Sequence, residues 1–276
     1  MNLFQSKLNE IFGYVVIKKF VIKVLRCEMT LTDEIRNFQV YSALPAEKIK
    51  TYREYFVLAT LKYSFPEEFA GLHKAEAPDL QDDFKGLGIE VTSGLSPNDE
   101  RISGESVKYS HAKTEKERAK CLKIIESCGG TRDEFSIGYP VATASSDREH
   151  VVNVFKKKLK KVDEYQKKYG HVGLAILIDI PLFFFDDKDW GKWLKELNDN
   201  KFEFVALVHW SGVDIYNFIS VEYSIKRIGR DDMDALKKVG RMAAEGLILD
   251  MWWKKSSLKT GWLLTASLHF IRPVIT

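Results

Sequence analysis

The chain has 276 residues, of which 45% are hydrophobic, 12% aromatic and 29% charged, a composition that excludes disordered and collagen-like polymers. A chain this long can bury a core without disulfide or metal staples. Its 42 basic and 39 acidic residues leave a formal charge of +3, which neither demands nor forbids a polyanionic partner.

Residues 1–44 read as an N-terminal extension: its early apolar runs are broken by lysines and it lacks the small-residue cleavage site of a secretory signal. From Pro45 a helical pattern runs to about Phe65, with Ile49, Tyr52, Phe56 and Ala59 on one apolar side. Glu54, Leu58, Leu61 and Phe65 form a second stripe, so a carboxylate stands in line with apolar residues. Residues 79–93 predict two extended segments around the turn Asp83–Gly86, with Ile89 and Val91 on one face of the second and Glu90 and Thr92 on the other. The Gly/Ser/Pro/Asn cluster at 93–98 ends this hairpin.

Helices follow at 112–127, stopped by Gly129-Gly130, and at 148–169. The apolar run from Val172 to Ile180 suits a strand covered on both faces, and 189–198 a short amphipathic helix. Phe202–His209 and Val213–Val221 flank Ser211-Gly212 as a hairpin, and 231–247 is helical again. The last thirty residues, with Trp252, Trp253 and Trp262, are apolar enough to dock on the body. The expected fold is α/β, a mixed central sheet flanked by helices, with a core at 45–225 and a docked segment at 226–276.

No stretch predicts a membrane span: the longest apolar run, 172–185, carries Asp179 and Pro181 and is shorter than the about 20 residues required. Cys27, Cys121 and Cys128 include no CxxC pair and suit buried thiols in a reducing compartment. A cytoplasmic protein is expected. Serine-hydrolase, zinc-protease, P-loop and dinucleotide-binding motifs are absent, and the six histidines have no ligand spacing.

The chemistry concentrates in Pro78-Asp79 and Glu90-Val91-Thr92. A hairpin brings Asp79 and Glu90 to one face, where paired carboxylates make a hard-oxygen site suited to Mg²⁺ or Mn²⁺. Such an ion polarises a phosphoryl oxygen and acidifies a bound water, so a phosphodiester is the natural substrate. The segment, with the preceding helix that carries Glu54, resembles the PD-(D/E)xK nuclease superfamily over roughly residues 45–225. The resemblance implies a restriction endonuclease-like α/β/α sandwich. It also implies metal binding by Asp79, Glu90 and the Val91 carbonyl, and a supporting role for Glu54.

The chain departs from that pattern at Thr92, where the superfamily usually has a lysine; threonine has no charge with which to neutralise a developing phosphorane. Lys108, His111 and Lys113 are candidates to take over that catalytic role, His111 also as a general base. The alternative is a catalytically silent module that binds nucleic acid or protein. In a third, structural reading the aspartates form turns and Glu90 is a solvated strand residue. Glu54 likewise has two readings, a metal-facing acid or a partner of Lys50 at i−4.

Lys156, Lys157, Lys158, Lys160, Lys161, Lys167 and Lys168 are expected on the side of the 148–169 helix away from its apolar stripe. There they could contact phosphates or simply be solvated. Nucleic acid, with DNA foremost, is the expected partner, and a homodimer is compatible with the chain. The near-neutral total conceals a cancellation: residues 76–100 hold seven acids and one base, and 148–170 hold eight bases and three acids.

Overall fold

The structure, a computed structural model, describes residues 33–40, 44–132, 137–138, 144–178, 187–199 and 201–247. Its first element, α1 (Asp33–Arg36), is one turn long; Ile35 is fully buried and Arg36 pairs with Asp232. Pro45 precedes a 3₁₀ turn at Ala46–Lys48 that runs into α2 (Ile49–Ser64). A proline in the first turn opens α3 (Pro66–Phe69), since a missing N–H costs nothing there. Next come β1 (His73–Lys74), β2 (Leu80–Asp82) and β3 (Leu87–Ser93).

Ser96 caps α4 (Pro97–His111) by accepting from the Asp99 N–H. Thr114 and Glu117 form a reciprocal capping box at α5 (Glu115–Ser127), which satisfies donors that a helix start leaves unpaired. These two helices and the short pair β4 (Thr131–Arg132) and β5 (Ile137–Gly138) lie between β3 and α6 (Ala144–Gln166). Then follow β6 (His171–Ile178), α7 (Asp187–Asn198), β7 (Phe204–His209), β8 (Gly212–Asn217), β9 (Glu222–Arg227) and α8 (Arg230–Ala244).

Among the described residues the main sheet has seven strands in the order β1-β2-β3-β6-β7-β8-β9. The pairs β3–β6 and β6–β7 are parallel and the rest antiparallel. On one face Ile89, Val91, Ala175, Ala206 and Val208 pack with Phe56 and Leu58 of α2 and Leu236 and Val239 of α8. On the other, Leu174, Ile176, Val205 and Leu207 pack with Phe155 and Val162 of α6 and Leu194 of α7. The result is the expected α/β sandwich. Its parallel strand β6 is buried along almost all its length, as the apolar run predicts.

Three features differ from the expectation. An additional helix, α4, occupies the stretch after the Gly/Ser/Pro/Asn cluster, because Ser96-Pro97 is a helix start as well as a turn signal. The extended segment expected at 213–221 ends at Asn217, whose Oδ1 accepts from the Ile219 and Ser220 N–H groups to turn the chain into β9. Strand β9 spans the expected boundary at 225, and α8 shares one core with α2. Cys27, Asp179, Pro181, Trp252, Trp253 and Trp262 lie outside the described residues.

Candidate active site

Leu80 pairs with Ile89 in the β2–β3 ladder, so Asp79, one residue earlier, falls opposite Glu90. The two acids meet as the hairpin reading requires. Asp79 Oδ2 accepts from the Val91 N–H at 2.9 Å, which seats the carboxylate against β3. Glu54 approaches from α2, and Lys50 ties the elements together: its Nζ lies 3.2 Å from Glu54 Oε1 and 3.3 Å from Asp79 Oδ1. Lys74 of β1 binds the other Glu54 oxygen at 3.1 Å. All three residues are at most 4% exposed.

Glu90 has its own set of donors, from α6. Lys158 donates to Oε1 at 2.6 Å, Lys161 to the same oxygen at 3.2 Å, and the Tyr165 hydroxyl to Oε2 at 2.7 Å. Residues 158, 161 and 165 lie on one side of a helix because their spacing is close to whole turns. The lysines expected to face away from the body therefore divide. Lys158 and Lys161 reach Glu90, Lys161 with about half of its side chain still exposed, whereas Lys156, Lys157 and Lys160, and Lys167 and Lys168 just past the helix end, are exposed without reaching it.

These surroundings pull the two hairpin acids in opposite directions. Burial, then the negative charges of Glu90 and Glu54, push the Asp79 carboxyl up to about 6 against the opposing pull of the Val91 N–H and Lys50. Burial would raise Glu90 too, but the hydrogen bonds from Lys158 and Tyr165 and the charges of Lys158 and Lys161 together outweigh it and hold the group below its ordinary value. The Lys50 ammonium is held above its ordinary range, first by Asp79 and then by Glu54.

Two of the other candidates stand on α4. Lys108 pairs with Glu105 on its own helix at 2.6 Å, and His111 is the last residue of α4. Thr92 is partly buried on β3 opposite Ile176. Asp82 Oδ1 accepts from the Phe84 and Lys85 N–H groups, a turn role as expected. Lys158 and Tyr165 were the functional candidates to add, and the signal was present: Val151, Phe155, Lys158, Val162, Tyr165 and Tyr169 recur at helical spacing, with a lysine inside the apolar stripe.

The donor chemistry fits a hard cation in part. Glu54 and Asp79 share one ammonium, which shows that the two carboxylates can serve a single positive charge. Yet among the described residues no three His, Cys, Asp or Glu side chains form a ready-made metal group, and Lys74, Lys158, Lys161, the Tyr165 hydroxyl and the Val91 N–H occupy the other oxygens. Among the described residues no helix is long and apolar enough to cross a membrane. Comparisons with protein-family models, curated proteins and solved structures found no match to this chain.

Proposed function

We propose that the chain is a Mg²⁺- or Mn²⁺-dependent nuclease that hydrolyses phosphodiester bonds of nucleic acid, with DNA as the expected substrate. The observation that carries this reading is the meeting of Asp79, Glu90 and Glu54 from a hairpin and a helix, with Lys158 against Glu90. Asp79, Glu90 and Glu54, with the Val91 carbonyl, would hold a hard divalent ion, whose chemistry is to polarise a phosphoryl oxygen and acidify a water.

The chain's own groups do the rest. Lys158 supplies, from α6, the positive charge that Thr92 cannot, and so can stabilise charge that builds on the phosphorus oxygens. Tyr165 donates to Glu90 and fixes the carboxylate plane. Lys50 screens the repulsion between Glu54 and Asp79; with a side chain 72% exposed, it can yield its place to a better cation. The exposed lysines of α6 offer phosphate contacts along the approach to the site.

The test is cleavage of plasmid, single-stranded DNA and RNA with Mg²⁺ or Mn²⁺. Metal-dependent cleavage is expected from the unaltered chain and none from Asp79→Ala with Glu90→Ala; activity that survives the double change overturns the reading. One observation favours a silent binding module instead: Lys50, Lys74, Lys158 and Lys161 already neutralise the acids. In that case calorimetry detects no divalent-ion binding, while nucleic-acid binding persists and weakens in Lys156→Glu with Lys160→Glu.

A further inference from the structure

Strand β9 is the last strand of the main sheet among the described residues. Edge strands expose unpaired backbone groups, and soluble proteins usually blunt them by shortness, a proline, a bulge or charged side chains, lysine above all. This one has six residues in regular register with β8, contains no proline, and carries charges of both signs. Around it Ile219, Val221 and Ile225 are 72%, 68% and 42% exposed. The opposite edge, β1, is only two residues long.

The backbone says which groups face outward. The Ile228 N–H donates to the Ser211 carbonyl, one step beyond the pair Gly212–Arg227. Alternation then turns the N–H and C=O groups of Glu222, Ser224 and Lys226 toward β8, and those of Tyr223 and Ile225 away from it. The side-chain order around Ser224 is symmetric in type: Tyr223 and Ile225 at one step, Glu222 and Lys226 at two.

We propose that β9 docks against β9 of a second copy of this chain, antiparallel, with a two-fold axis at Ser224. A two-fold axis perpendicular to the sheet keeps each face on its own side and makes the contact isologous. Tyr223 of each copy then lies opposite Ile225 of the other, and this pair exchanges the outward backbone hydrogen bonds. On the same side of the sheet the two side chains form an aromatic–β-branched cross-strand contact. On the opposite side Glu222 meets Lys226, twice by symmetry. A register centred on Ile225 instead sets Lys226 against Ser224 and leaves Glu222 without its cation, so charge complementarity selects Ser224.

The test uses the full chain in sedimentation equilibrium over a range of concentrations. The unaltered chain is expected to dimerise. Glu222→Lys, which sets like charges opposite each other at two places, is expected to weaken association about tenfold or more, and Glu222→Lys with Lys226→Glu to restore it. Under mild oxidation Ser224→Cys is expected to form a linked dimer faster than Ile225→Cys. A non-hydrogen-bonded antiparallel pair holds its Cα atoms about 4.5 Å apart, within disulfide reach, and mass spectrometry of the linked peptide identifies the position. A chain that stays monomeric, a dimer indifferent to both charge changes, or faster linkage at Ile225→Cys overturns the proposal. The changes lie on an exposed strand, so circular dichroism of each variant is expected to match the unaltered chain.

Discussion

Asp79 is held in a position that disfavours its own charge. Its folded pKa of about 6 stands above its ordinary value of 3.8, so between these values the folded chain binds more protons than the unfolded one. Stability contributed by this group is therefore full below about pH 4, falls as pH rises to 6, and is flat above. Asp79→Asn is expected to raise unfolding stability at pH 7.5 by on the order of 2 kcal/mol, with the gain gone at pH 4; denaturant titration at the two pH values checks it. Glu90 has the opposite sign, because its lowered pKa contributes stability that is lost as pH falls through the carboxylate range. Lys158→Met is expected to cost about 1 to 3 kcal/mol by withdrawing a donor from a buried carboxylate and to slow cleavage about a hundredfold. Lys158→Arg is expected to keep most of the stability. At this scale the sequence was legible where a charge interrupts an apolar stripe: Glu54 stood out for that reason, and Lys158 fits the same rule. What it could not show is that the two answer each other's neighbours across the sheet, since the partners are 68 residues apart for Lys158 and Glu90.

The elements that carry the site were readable from period alone. The hairpin around residues 79–93, α2, β6 and β7 lie where alternation or helical spacing puts them, α6 starts and ends a few residues earlier than the expected 148–169, and β8 stops short of the expected 221. Helix α4 was not readable, because only Ile102 and Glu105 on it are buried and so little apolar periodicity is needed to hold it in place. Strand β9 hid for the same reason: all its residues but Tyr223 are exposed. Packing between elements also depends on single positions. A Cβ placed on Gly240 of α8 would come within 3.0 Å of the Phe56 backbone of α2. Gly240→Ala is thus expected to destabilise the fold by about 1 to 3 kcal/mol through overpacking, measured by chemical denaturation. Thr114→Ala removes the capping box of α5 and is expected to cost about 1 kcal/mol, read in the same way.

Across the whole molecule the acidic stretch 76–100 and the basic stretch 148–170 meet where Lys158 and Lys161 bind Glu90. Part of the basic excess is thereby taken up by Glu90, and Lys156, Lys157 and Lys160 of α6, with Lys167 and Lys168 just past its end, remain for an external polyanion. If they contact phosphates, Lys156→Glu with Lys160→Glu is expected to lower DNA affinity about tenfold at low salt and to flatten the dependence of affinity on salt by about two contacts; fluorescence anisotropy across a salt series checks this. The sequence by itself determined the α/β class, the hairpin and the side of it on which the acids stand, because hydrophobic period and turn chemistry act over a few residues. Only the tertiary structure decided that a lysine from α6 stands beside Glu90, that Lys50, paired with Glu54 at i−4 as one sequence reading has it, also reaches Asp79, and that β9 is the last strand of the sheet among the described residues. The contacts of Lys158 with Glu90 and of Lys50 with Asp79 join segments far apart in the chain, and they offset the cost of burying the two carboxylates, which no local pattern records.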